Sequence, residues 1–366
     1  MWETLLNFNS EIWQLGVHPN GNIYAYDLGE NAVWVLSPDG QVKHRIPFRT
    51  GSLMYRSIPP FQFSKDGNVF FGAPDGQVYC VAPNGHILWQ TMTGQQDPTQ
   101  TTIPVTSLAL CSKHGILAVA NSLSEHRPIQ GLDIRTGQIL WKYKHSKFTV
   151  VYDLTTDEDD NIVVTANDPA VIQEWLSTDP SAPTPDFSAL PDTKGGAVIV
   201  LSPSGHEKGT YPVPNEFCLR LTMPHKGRYY VVGSSVVELK RGAFKSTEGI
   251  FALASNGSVI WSSIRKDSVM TYSNHEGFWI QAGTLFYGND VGQLIGLNIQ
   301  DGSTAVDYTV STGRPTGTVK VAKGDDEGLC IIAYVRDITF GWVPQIFCLP
   351  PNSLIHISGT RTSPGS

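Results

Sequence analysis

Short apolar runs alternate with turn-forming residues along the whole chain, and the spacing repeats. Runs such as NIYAYD, NVFFGA, ILAVAN, NIVVTA and RYYVVG read as strands. Turns open or precede them at Asn20-Gly21, Asp66-Gly67, His114-Gly115, Asp160-Asn161, Lys226-Gly227, Ala282-Gly283 and Glu327-Gly328. A second phrase follows each: an apolar strand, a turn ending in glycine, then another strand. It reads VWVLSPDG to Gly40, VYCVAPNG to Gly85, IQGLDIRTG to Gly137, VIVLSPSG to Gly205, IFALASNG to Gly257 and LIGLNIQDG to Gly302. A seventh copy, IFCLPPNS, places Ser353 where the glycine stands elsewhere. Asp-Gly, Asn-Gly and their relatives suit hairpins, because the chain must adopt positive φ there. In the shortest units the two turns lie 18 or 19 residues apart, which accommodates two strands and no crossover helix. A parallel α/β fold is therefore disfavoured.

Seven units of four strands and two hairpins predict an all-β, seven-bladed β-propeller of four-stranded antiparallel blades, with six blades as the alternative. The expected organisation is a single domain over 1–366. Its blades fall near 11–48, 57–93, 105–146, 150–214, 216–264, 274–312 and 316–358, and residues 1–9 supply a strand that closes the ring. Three units place a tryptophan four residues after the turn glycine, at Trp89, Trp141 and Trp261. A large ring recurring at one strand position is what docking of successive blades requires.

Two resemblances follow from these phrases. IQGLDIRTGQILWKYK resembles the repeat of quinoprotein-type (PQQ-like) propellers, and VYCVAPNGHILWQ and IFALASNGSVIWSS are looser copies. The opening EIWQLGVHPNGNIYAYD is similar to the first blade of the gluconolactonase-like (SMP-30) group. That second resemblance implies a divalent metal held by Glu11, with Asp153 as a second ligand. The asparagines that complete the site in that group have no aligned counterparts here. Quinoprotein dehydrogenases are longer, generally eight-bladed and carry an adjacent cysteine pair, so a PQQ cofactor is disfavoured and no other cofactor motif is present.

Composition narrows the partners. The net charge of −7 comes without a Lys/Arg run, which argues against a nucleic-acid surface. No stretch reaches ~18 consecutive apolar residues, so no spanning helix is expected. Residues 1–20 lack Lys and Arg and show no secretory pattern, pointing to the cytoplasm. Five scattered cysteines, without CxxC spacing, read as buried free thiols. Oligomeric state is not legible.

Candidate chemistry comes from position rather than from a motif. There is no GxSxG, HExxH, GxxxxGK[ST] or GxGxxG. Asp157, Asp159 and Asn161 have calcium-loop spacing, but Ile162 stands where that loop needs glycine, so they read as a solvated turn. Extra chain is placed between second and third strands of units 4, 5 and 7, and these connections share one face. Residues opening the inner strands should ring the channel mouth on that face. They include Trp13, Gln62, Thr106, Tyr152, Asp153, Arg220, Asn274, His275 and Arg314, with Arg56 just upstream and Trp175 and Trp342 on the long connections. His275 suits proton transfer, since imidazole titrates near neutral pH. Asp153, Arg220 and Tyr152 complete the catalytic set, the latter two stabilising charge on a substrate oxygen. The expected function is a cyclase, lyase or hydrolase acting on an apolar or aromatic small molecule, in natural-product biosynthesis. The alternative is a non-catalytic scaffold that binds a protein partner.

Overall fold

A computed structural model describes residues 12–49, 61–94, 103–121, 128–169, 195–213, 217–238, 244–266, 278–288, 293–309, 316–323, 329–337 and 341–349. The elements described are strands. They form six four-stranded antiparallel sheets and one three-stranded sheet, each in simple up-and-down order. The sheets, numbered here 1 to 7, span residues 12–47, 62–92, 105–143, 150–212, 218–266, 278–309 and 316–349. The chain divides into two compact units, Met1–Arg228 and Tyr229–Ser366. The proposed closing strand at 1–9 lies outside the described residues, as does Gly328.

Burial changes systematically across a sheet. In sheet 4 the second and third strands, Ile162–Asn167 and Gly196–Leu201, are buried at every position. Such continuous burial belongs to strands covered on both faces. The outer strand of sheet 2, Ile87–Met92, buries only Trp89 fully and exposes most of its other residues. Within the first unit the cores lie between consecutive sheets. Tyr24, Tyr26, Phe61, Phe71 and Tyr79 fill the space between sheets 1 and 2. Phe70, Trp89, Leu108 and Leu132 join sheets 2 and 3, and Phe148, Leu154, Ile162 and Ile199 belong to the core of sheets 3 and 4.

The turns follow the sequence pattern. The described glycines at both turn series, from Gly21 to Gly302, have positive φ, and Asp160 takes φ 64° in the unit that lacks glycine there. The three tryptophans then act on the next sheet's turn. Trp89 Nε1 donates to Ile134 O at 2.9 Å, and its ring lies where a Cβ on Gly137 would be, 2.7 Å away. Trp141 Nε1 donates to Pro203 O at 2.9 Å, and its ring is 2.6 Å from a Cβ built on Gly205. In the second unit Trp261 Nε1 donates to Ile299 O at 3.0 Å and covers Gly302 in the same way. Only a residue without a side chain lets the indole lie flat on the turn. In sheet 1, His44 occupies the tryptophan position and its ring covers Gly85.

The second unit also holds a buried polar group. Glu248 is almost fully buried and bonds the Tyr287 hydroxyl; burial, with Glu248 beside it, raises the Tyr287 pKa. Arg265 pairs with Asp307 at 2.9 Å. Among the described residues no helix is long and apolar enough to cross a membrane.

Candidate functional site

In the first unit the first strands of neighbouring sheets pack on one another. Val150–Thr156, which opens sheet 4, packs against both Val105–Cys111 of sheet 3 and Cys218–His225. Their first residues carry the sequence-derived candidates Thr106, Tyr152, Asp153 and Arg220.

A backbone irregularity recurs there. In sheet 4 the pairing steps from Val151↔Ala166 to Asp153↔Thr165, leaving Tyr152 as an extra residue. Sheet 3 steps from Asn121↔Val105 to Ala120↔Ser107, leaving Thr106 extra. Sheet 1 steps from Ile12↔Asp27 to Gln14↔Tyr26, leaving Trp13 extra. A bulge of this kind re-aims one side chain and interrupts the ladder. In sheet 3 the interruption is closed locally: Thr106 is buried and its hydroxyl donates to Ala120 O at 3.3 Å. Tyr152, at the equivalent place, is only half-buried and reaches toward sheet 5.

The Arg220 guanidinium sits 4.7 Å above the Tyr152 ring centroid. A planar cation stacked on an aromatic face keeps its N–H donors in the plane, directed outward from the stack. The Tyr152 hydroxyl bonds the Cys218 thiol. Burial raises the Cys218 pKa, and Arg220 and Tyr152 offset this only in part. Cys218 is therefore a neutral thiol and not a nucleophile. Asp153 is buried; Ser107 Oγ donates to its Oδ1 at 3.2 Å and accepts from Leu154 N at 2.9 Å. This carboxylate thus ties sheet 3 to sheet 4. Gln62 Nε2 reaches Leu108 O at 3.2 Å and does the same between sheets 2 and 3.

Two residues not singled out from the sequence contact Leu219, the neighbour of Arg220 in the chain. Asn167 is fully buried; its Nδ2 donates to Leu219 O at 2.8 Å, and its Oδ1 accepts from Leu219 N at 2.7 Å. Gly196, paired with Asn167 across the sheet, leaves room for the Leu219 side chain. A lone asparagine at a strand end gives no signal in one sequence, so only the pairing of its amide with a peptide group shows its role.

The structure brings Tyr152 and Arg220 together, and places Asp153, Thr106 and Gln62 on neighbouring inner strands. Glu11, Arg56, Trp175, Asn274, His275 and Arg314 lie outside the described residues, and Trp13 and Trp342 are described by backbone alone. Among the described residues no group of three or more His, Cys, Asp or Glu side chains converges as metal ligands. Of the implied metal pair, Asp153 is described and its Oδ1 accepts the Ser107 hydroxyl, while Glu11 lies outside the described residues. On the far ends of the strands, Asn161 Nδ2 donates to both Asp157 oxygens, at 3.1 and 2.9 Å, so that turn is self-satisfied. A small cavity of ≈ 10 Å³ between sheets 3 and 4, lined by Tyr143, His145, Phe148 and Thr149, has room for about one water.

No protein-family model matches the chain, and no curated protein does. Solved structures do. The chain is similar to a structure of streptogramin B lyase, with a TM-score of 0.54 and 12% identity over 89% of this chain and 92% of that one. It is also similar to the Dos1 propeller, with a TM-score of 0.61 and 11% identity over 92% and 78%. At these identities the likeness gives the fold, a β-propeller, and nothing finer. The quinoprotein-like and gluconolactonase-like resemblances rest on the repeat phrases and the first blade alone.

Proposed function

We propose that the chain is a seven-bladed β-propeller enzyme of the lyase, cyclase or hydrolase type, acting on an apolar or aromatic small molecule at the long-connection end of its inner strands. The observation that carries this reading is Arg220 stacked on the bulged Tyr152, beside the base of the 168–195 connection. The streptogramin B lyase likeness supports the choice of a lyase among propeller functions. In an elimination or ring opening, a base removes a proton next to a carbonyl and negative charge collects on the oxygen. The C=C then forms as the bond from the β-carbon to the leaving group breaks, and that group departs with the electron pair. Arg220 is the fixed cation placed to receive that charge, and its stack on Tyr152 removes the need for it to reorganise during reaction. The sequence nominates His275 as the base, and Trp175 and Trp342 as substrate-binding residues. Orientation of a reactive substrate supplies the rest of the barrier reduction.

The test has two stages. Mass spectrometry of the native protein identifies a co-purified small molecule, which is then offered as substrate or product analogue. Arg220→Ala and His275→Ala should each reduce turnover about tenfold or more, with Tm within a few degrees of the parent. Asp159→Ala, on the exposed turn at the opposite end, should change neither. Turnover unaffected by Arg220→Ala removes this site from the reaction, whereas a parent protein that holds no small molecule and turns none over favours the scaffold.

A further inference from the structure

We infer that Asn167 is the positioning residue that sets Arg220 against Tyr152. The inference rests on the reading above only in giving Arg220 a substrate to meet; the geometry stands by itself. Leu219 lies between Cys218 and Arg220, and Asn167 bonds both sides of it: the amide donates to its carbonyl and accepts from its N–H. A primary amide matched to a peptide group in this way fixes one residue in translation and rotation together. With Leu219 held, the next side chain along the strand has a defined origin, and Arg220 arrives over Tyr152 at 4.7 Å. Gly196 contributes from the other side of the ladder. A Cβ there would collide with both the Leu219 side chain and Asn167 Oδ1, so the glycine lets the two meet.

The position of Asn167 in the sheet gives this contact more than a packing role. It is the last residue of its strand, and Asp168 N closes the base of the following connection by donating to Gly195 O at 3.1 Å. The expanded connection of sheet 4 is therefore rooted on the residues that hold Leu219. A second tie between the same two strands lies farther along them. Thr165 Oγ1 and Thr222 Oγ1 are 2.7 Å apart, both buried, and this pair does not bracket the Arg220 peptide. Asn167 and Thr165 thus separate positioning from general strand-to-strand stability.

The experiment reads Arg220 directly in the full chain. In protein labelled with ¹⁵N-arginine, the Nε–H resonance of Arg220 is assigned by its loss in Arg220→Lys. The ring-current contribution is defined by the change in Tyr152→Leu. Asn167→Ala should move the resonance at least half-way to its Tyr152→Leu position. Thr165→Val, which breaks the other tie, should leave it in place even where its Tm falls comparably. Asn167→Asp, which keeps the acceptor but loses the donor and repels Leu219 O, should fall between parent and alanine variant. An unmoved resonance in Asn167→Ala overturns the inference, as does an equal shift in Thr165→Val. The turnover of Arg220→Ala bears on the proposed function alone, so the two failures are distinguishable.

Discussion

The tryptophan seams and the bulged ends of the inner strands both repeat from sheet to sheet, but they repeat differently. At the seams the backbone and the side chain recur together. Trp89, Trp141 and Trp261 each stand four residues after a turn glycine, each donates to a carbonyl of the next turn, and each covers that turn's glycine. At the inner ends the backbone recurs while the side chain does not. Among the described first strands, bulges fall on Trp13, Thr106 and Tyr152, and a further register shift lies between Thr316 and Val319. The Thr106 hydroxyl closes its ladder gap on Ala120 O. A contact whose purpose is the same in every sheet holds one residue type. A position offered to the outside by a bulge is free to vary, and there the chain places Tyr152 for Arg220 to cover.

The sharpest way to break the seam side of this comparison is Trp141→Ala. The indole bonds Pro203 O and packs between Gly131 of its own sheet and Gly205 of the next. Its removal takes away a large apolar contact and leaves that carbonyl without its donor. The expected cost is about 3 kcal/mol, measured by denaturant unfolding. A loss within about 0.5 kcal/mol, the usual size of a surface change, would mean that the tryptophans decorate the seams and do not hold them.

A smaller effect separates the ring contact from turn strain. Gly283 and Gly302 lie in one sheet with φ of 80° and 73°. A Cβ at Gly283 meets nothing within 4 Å, whereas at Gly302 it is 2.6 Å from the Trp261 ring. Gly283→Ala should cost about 1 kcal/mol, from left-handed strain alone. Gly302→Ala should cost roughly a further 1–2 kcal/mol, because the ring must shift as well. In a Trp261→Leu background the two costs should converge, which a double-mutant cycle reads as the coupling energy. Equal costs in the parent would show that the indole yields freely and that the glycine is required only for its φ.

The same contrast explains what the sequence made legible. Turn glycines and the Trp89, Trp141 and Trp261 series recur at constant spacing, so periodicity alone reveals them. The pairing of Tyr152 with Arg220 depends on a one-residue bulge and on two strands from different sheets, and neither leaves a local pattern. Position at the start of an inner strand was enough to nominate both residues, but not to show that they stack. Asn167 was invisible for a further reason: its work is done through the backbone of Leu219, so no complementary side chain marks it. Asp153 adds a different case. A carboxylate at the start of an inner strand reads as chemistry, and the structure adds that it is buried and tied to Ser107 of the neighbouring sheet, a contact no local pattern marks.

The smallest expected effect concerns pH, and it arises at the turn end of the strands, away from Tyr152 and Arg220. His225 closes its strand half-buried; burial, with Lys226 beside it, lowers its pKa from 6.5, and Glu158 opposes this in part. Burial works against ionisation of Glu158, but N–H groups of Lys226, Glu158 itself and Gly227, with His225 near, outweigh it and hold the carboxyl below 4.5. Lys113 adds its ammonium on Glu158 O and its N–H on Asp160, each at 2.5 Å, and His114 faces Asp160 at 3.5 Å. Both lowered groups act in the same direction. Each contributes stability that is full above its unfolded pKa and is lost as pH falls through its folded pKa. For His225 the loss begins as pH drops below 6.5, because the unfolded chain takes up the proton first. For Glu158 it begins only below 4.5, so the two windows do not overlap at their upper ends. Between pH 7.5 and 5.5 the parent should therefore lose more Tm than His225→Gln, by on the order of 1 °C given the partial exposure of the imidazole. Differential scanning calorimetry of the pair at both pH values makes the measurement. A variant that loses as much Tm as the parent would place the acid sensitivity elsewhere than this turn.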